Sequence, residues 1–233
     1  MLNDYLHHPK HGPLPGLLLL LTLGTGVIDA VSILGLGRVF VANMTGNVVF
    51  IGFAIAGAPG FSIWGSLVAL IAFLIGASGG GALIARSATN RGVLLRNSLT
   101  LQCVLFAVAV VVSAATGGAP TTVDQVLILL CAALALGFQN AVVRQLAVPD
   151  MTTTVLTMTL TGIGSDLRKR EWATATRRVI AVVSMLIGAV IGALLVLPFG
   201  VTAGLVLALV ILVVTLAGAF VASRTRGDWQ TAA

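Results

Sequence analysis

The chain has 233 residues, 58% of them hydrophobic and only 9% charged, with a mean hydropathy of +1.09. A soluble domain carries roughly 25% charged residues, so a water-soluble globular protein is excluded. The formal net charge of +6 comes from basic residues gathered in particular loops. They form no basic stripe with interleaved aromatics, so no nucleic acid is expected as a partner.

After a polar tail over residues 1–15, eight apolar segments follow. In the first half they are A (Gly16–Leu36), B (Met44–Ala56), C (Phe61–Ala85) and D (Val93–Ala115). In the second half they are A′ (Val126–Leu146), B′ (Met151–Ile163), C′ (Val179–Leu197) and D′ (Val201–Ala222). Residues 116–125, uncharged up to Asp124 and holding two glycines, read as a linker, and residues 223–233 as a C-terminal tail. Long apolar runs of about 20 residues are what bilayer-spanning helices require. A membrane β-barrel would show alternating segments of about 10 residues instead. B and B′ reach only about 20 Å as helices, short for a hydrocarbon core of about 30 Å. Leu17 to Leu23 could imitate a signal sequence, but the apolar run continues through Asp29, so no cleavable signal is expected.

The order is duplicated. Gly26-Val27-Ile28-Asp29-Ala30-Val31 aligns with Gly137-Phe138-Gln139-Asn140-Ala141-Val142 at an offset of 111. Met44-Thr45-Gly46-Asn47-Val48 aligns with Met151-Thr152-Thr153-Thr154-Val155. Ile75-Gly76-Ala77 with Gly80 aligns with Ile187-Gly188-Ala189 with Gly192. These last are GxxxG spacings, where small residues let helices approach within one chain or between protomers. A homo-oligomer is therefore one expected arrangement beside the lipid bilayer itself.

Orientation is read from Lys and Arg in short loops. Arg86, Arg91 and Arg96 lie between C and D and at the very start of D, and Arg168, Lys169, Arg170, Arg177 and Arg178 between B′ and C′. Lys10, Arg224 and Arg226 lie in the tails, while the B–C, D–A′ and C′–D′ connections hold neither residue type. Both termini are then cytoplasmic, and each half makes three crossings. Two odd-numbered copies point opposite ways through a bilayer, the inverted-repeat plan of many secondary transporters. The expected fold is all-α: a polytopic membrane protein with about six crossings and short broken or re-entrant helices at B and B′.

The residues with chemistry cluster at the A–B and A′–B′ breaks. Asp29 is the one acid deep in an apolar segment, where a charge costs several kcal/mol unless paired or hydrated. It is a functional candidate, or else a structural partner for Arg38 or Arg144. Its repeat counterpart is Asn140, preceded by Gln139, which leaves one protonatable site against one fixed amide. Arg38 and Arg144 occupy corresponding breaks and attract anions, or else snorkel to the interface. Asn43 and Asp150 read as N-caps of B and B′, with Thr45 and Thr152 in the first turns. Helix N-termini facing one cavity make an anion or polar-solute site. Asn47, Thr152, Thr153 and the further threonines of B′ extend the polar lining.

Cys103 and Cys131 stand singly in apolar segments, and His7, His8 and His11 read as a solvated tail, so neither a metal nor a cofactor is expected. No nucleophile–base pair or paired carboxylates appear, so an enzyme is not expected.

Leu36-Gly37-Arg38-Val39-Phe40-Val41-Ala42-Asn43-Met44-Thr45-Gly46-Asn47, with Gly26 to Val31 before it, resembles the first signature of the YoaK-like bacterial membrane proteins. Gly137-Phe138-Gln139-Asn140-Ala141, Arg144 and Pro149-Asp150-Met151-Thr152-Thr153-Thr154 resemble the second. The resemblance spans essentially the whole chain. It implies a bacterial inner-membrane protein of about six helices and carries over no substrate or catalytic residue. The residues themselves point to a transporter or channel for a small solute, an anion or weak acid. A non-transporting component (assembly factor, receptor or partner subunit) is the alternative.

Overall fold

The computed structural model describes residues 8, 10–87, 89–117, 120–149, 151, 153–154, 156–224 and 227–231. Among them the regular structure is helical: α1 (Leu14–Gly35), α2 (Met44–Ile55), α3 (Ile63–Ser87), α4 (Arg91–Ala115), α5 (Thr122–Leu146), α6 (Leu156–Lys169), α7 (Trp172–Phe199) and α8 (Val201–Arg224). A short 3-10 turn, Asp228–Gln230, follows. Six of these, α1, α3, α4, α5, α7 and α8, are long and apolar enough to cross a membrane.

Local sequence sets where the helices stop. Pro15 opens α1, where a missing N–H costs nothing. Gly37 (φ 84°) and Arg38 (φ 57°) then turn left-handed in succession and end the helix. Asn90 caps α4 by accepting the N–H of Val93 at 3.0 Å. The Asp124 carboxylate accepts both the N–H and the hydroxyl of Thr121 (3.0 and 2.6 Å), so α5 starts at Thr122, inside the expected linker. Ala147 (φ 48°) and Pro149 end α5. Gly200 (φ 79°) alone joins α7 to α8, a turn open to glycine without strain.

One expected element moves. B′ is not a helix from Met151 but begins five residues later, at Leu156, and runs on through Asp166, Arg168 and Lys169. Met151, Thr153 and Thr154 become part of the break.

α1 and α5 form the centre: 67% of the spanning stretch of each is buried, against 22–39% for the other four. α1 packs on α7 and α8, and α5 packs on α3 and α4, while α4 meets α8. Glycines set the two closest contacts. A Cβ at Gly76 would strike the carbonyl of Leu134, and one at Gly137 the carbonyl of Phe73. One at Gly188 would strike the carbonyl of Leu23, and one at Gly26 the carbonyl of Met185. Gly80 faces Ala141 as Gly192 faces Ala30. Both GxxxG faces are thus occupied within the chain. The outward faces of the long helices are apolar, with Leu74, Val111, Leu194, Leu197 and Val221 exposed, as lipid contact requires.

The two short helices, of 12 and 14 residues, are too short to span a bilayer by themselves. Before α2, the Arg38 guanidinium lies against Gly60 and Val39 against Gly65, and both glycines follow α2 in the chain. Phe40 stacks on Phe50 (5.5 Å between ring centroids), and Phe50 and Phe53 meet Phe61. The residues just before and just after α2 therefore lie against each other. In the second half Arg178, near the start of α7, crosses α6 at Gly162 and reaches Asp166 at 3.0 Å.

Candidate functional site

The first break, residues 36–43, is held by one amide. Asn47 is fully buried; its Oδ1 accepts the N–H of Phe40 at 2.9 Å and its Nδ2 donates to the carbonyl of Phe40 at 2.6 Å. The side chain stands in for a strand partner, so Phe40 keeps both backbone bonds away from water. Asn43 caps α2 as expected, accepting the Gly46 N–H at 3.4 Å, and Thr45 sits exposed in the first turn.

The second break, between α5 and α6, is held from outside. Gln139 of α5 donates to the Thr153 hydroxyl at 3.3 Å, and the Thr154 hydroxyl donates to Asn140 Oδ1 at 2.6 Å. Asn140 also donates to the carbonyl of Leu136 at 3.0 Å. Asp150 and Thr152, the expected cap and first-turn residue of B′, lie outside the described residues.

The two breaks meet in an open cleft of about 710 Å³. Asn43, Thr45 and Gly46 line it from the first half, and Asn140, Thr154 and Thr157 from the second. Phe73 and Met185 complete the wall, each near the middle of its long helix. A second open cleft of about 940 Å³ shares Phe73 and Asn140 with the first. It runs along α3 and α5 past Ala77 and Ala141 to Arg144 and Met151. Together they form a polar-edged path from mid-helix to the end of α5.

Of the expected site residues, Asn43, Thr45 and Asn140 are brought together, and Arg144 stands on the adjoining cleft, exposed and without a carboxylate partner among the described residues. Asn47, Gln139 and Thr153 are buried and occupied in holding the breaks. Arg38 is exposed and packs beside Gly60, away from both clefts. Asp29 is buried, and neither arginine pairs with it. Thr154 and Thr157, among the further threonines of B′, stand on the lining, and Phe73 and Met185 join it unannounced. Thr154 was legible as the repeat counterpart of Asn47, and Phe73 and Met185 share the 112-residue offset of the GxxxG pairs. The threonines of α6 divide: Thr157 lines the cleft, Thr161 donates back to the carbonyl of Thr157 at 2.9 Å, and Thr159 is buried.

The end of the bundle below the second break is tied by one arginine. Arg91 donates to His11 Nδ1 at 3.1 Å, to the carbonyl of Trp229 at 3.4 Å and to the carbonyl of Leu146. One guanidinium thus joins both terminal segments to the last residue of α5. His11 is buried, not solvated as the sequence suggested. Since arginine only donates, Nδ1 accepts and the ring is neutral. Burial, then Arg91, His8 and Lys10, lowers the His11 pKa from 6.5 to about 4. Among the described residues no group of His, Cys, Asp and Glu is placed to hold a metal ion.

Residues 17–218 match a family model described as a protein of unknown function (DUF1275). The chain is similar to the UPF0700 transmembrane protein YoaK of Bacillus subtilis (strain 168), 30% identical over 187 residues, which cover 76% of this chain and 82% of that relative. No solved structure matches the chain. With six apolar helices and a transmembrane relative, it is a multi-pass membrane protein.

Proposed function

Because this chain belongs to the DUF1275 family of unknown function, its activity must be read from its own cleft, and we propose that it moves a small solute, an anion or weak acid, across the membrane. The observation that carries this is the cleft bounded by both breaks at the middle of two long helices. Irregular backbone at membrane depth is tolerated where it lines a cavity, and paired interruptions mark transporter sites. Asn43, Thr45, Asn140, Thr154 and Thr157 offer amide and hydroxyl groups, with the start of α2 adding unpaired N–H groups. Arg144 at the mouth supplies an attracting positive charge.

Inverted repeats support the reading. The glycine contacts of α1 on α7 recur in α5 on α3 with offsets of 111 and 112. If α2 and α6 do not cross, α1 and α5 run in opposite directions. Alternating access then rocks the α1–α7 pair against the α3–α5 pair. Arg86, Arg91, Arg144, Arg177 and Arg224 all stand at one end of the bundle and Arg38 at the other, which supports a cytoplasmic face for both termini in a bacterial inner membrane. The rival, a non-transporting component, draws on Asn47 and Gln139, whose polar groups serve structure.

The test is uptake by proteoliposomes of nitrate, phosphate, lactate and succinate, each against protein-free vesicles. Flux of at least one is expected, and Asn140→Leu, which fills the cleft, abolishes it while the helical spectrum is kept and melting falls only slightly. No flux of any of the four, or full flux with Asn140→Leu, contradicts the proposal.

A further inference from the structure

Asp29 lies outside both clefts, and the lining just described gives it no role. It stands in α1 at 9% exposure, and its Oδ1 is sealed from solvent with no hydrogen-bond partner among the described residues. The hydroxyls on its own helix face are committed elsewhere. Thr22 donates to the carbonyl of Leu18 (2.9 Å), Thr25 to that of Leu21 (2.9 Å) and Ser32 to that of Asp29 itself (3.2 Å).

Among the described residues no cation answers the carboxyl. At this level α7 presents Met185, Ala189 and Gly192 to α1, and α8 presents Gly204 to Val31. The charged groups of α7, Arg177 and Arg178, lie in its first two turns, and Arg224 of α8 lies in its last. On α1 itself Asp29 is the single titratable group. Among the described residues the carboxyl has neither counter-charge nor donor, and a charge at membrane depth is costly without them.

The second half shows the neutral alternative. Asn140 occupies the matching place, with Gly137 and Ala141 in the contacts that Gly26 and Ala30 make. Its Nδ2 donates to the carbonyl four residues back, Leu136. A carboxylic acid at 29 has the same shape and one donor, and the carbonyl four residues back is that of Thr25.

We propose that Asp29 is a reversible proton-binding site and that its proton travels with the solute. This rests on the transport reading above. The step is simple: hydronium in an admitted water chain gives its proton to a carboxylate oxygen, one O–H bond breaks and one forms, and the side chain passes from anion to neutral acid. Opening of the path admits the water that takes the proton away again. With a fixed amide at 140 and a titrating acid at 29, one of the two repeat positions carries the proton.

Two readouts decide it. Infrared difference spectra of the purified protein in nanodiscs, over a pH series, report the C=O stretch of protonated carboxyls. The wild type is expected to show a band that disappears reversibly on raising the pH and is missing from Asp29→Asn, while Asp29→Glu gives a shifted band that also titrates. Asp29→Asn is expected to melt like the wild type, because Asn140 already fills that role. In proteoliposomes taking up nitrate, phosphate, lactate or succinate, a pH gradient raises wild-type accumulation about tenfold per unit at one proton per solute. Asp29→Asn keeps exchange but loses this response.

A band that never titrates, a titrating band unchanged in Asp29→Asn, or a pH response kept by that variant overturns the proposal. Removal of the band by sodium at fixed pH also overturns it, in favour of a metal cation. Absence of flux beside a titrating Asp29 band instead contradicts the transport reading and the coupling, and upholds the proton site.

Discussion

The two breaks occupy equivalent places in the chain and are held in opposite ways. The first is self-sufficient: Asn47, one turn into α2, satisfies both backbone groups of Phe40, and four phenylalanines close around it. The second depends on its surroundings. Gln139 and Asn140 reach it from α5, and Arg91 holds the residue just before it together with both terminal segments. A break fastened to itself moves as a body. A break fastened to neighbours changes when they do.

That contrast can be broken most severely at Asn47. Asn47→Ala leaves the N–H and carbonyl of Phe40 unpaired, at about 1–3 kcal/mol for each buried group. The melting temperature in detergent is expected to fall further than for Thr153→Ala, and equal falls would erase the contrast. Arg91→Met comes next. It removes donors to three segments, with a loss of about 1–3 kcal/mol, and hydrogen exchange is expected to rise at 146–151 and 227–231 but not at 36–43.

A smaller effect follows from His11. Folding holds its pKa at about 4 against 6.5 in the free state, so the neutral form is favoured. Its contribution is complete above pH 6.5 and is lost as the pH falls toward 4. Melting temperature should decline over that window in the wild type and less in His11→Gln, and parallel curves would contradict the tie to Arg91. The smallest effect belongs to Asn140 and Thr154. A double-mutant cycle with alanine at each should give a coupling of about 0.6 kcal/mol, the usual size for such bonds in membrane proteins. Zero coupling would remove this bond from the account of the second break.

Much of this was legible beforehand because hydrocarbon is a strict solvent. It forces long apolar runs, and the helices α1, α3, α4, α5, α7 and α8 fall where the runs do. The glycine pairs at 76/80 and 188/192 were legible as contact faces, though not as contacts between the halves. The start of α6 was not, because Met151 to Ile163 is apolar and threonine-rich enough to read as helix. Left-handed Ala147 and Thr153 and the side-chain bonds of 153 and 154 to α5 override that propensity. Roles within the polar clusters were harder still. Asn43 and Asn47 lie four residues apart, yet one faces the cleft and the other is sealed against Phe40. Arg91 read as an orientation charge, since nothing in its neighbourhood in sequence reveals that Leu146 and Trp229 come to it.

The central claim is that both breaks border one water-reachable space within the membrane. The direct measurement is thiol labelling in whole membranes, on a background with Cys103 and Cys131 replaced by alanine. Thr45→Cys and Thr157→Cys should react with a membrane-impermeant aqueous maleimide, whereas Val111→Cys and Leu194→Cys on the lipid-facing surfaces should not. If the cysteines at 45 and 157 label no better than those at 111 and 194, the shared cleft does not hold water and the solute path is wrong.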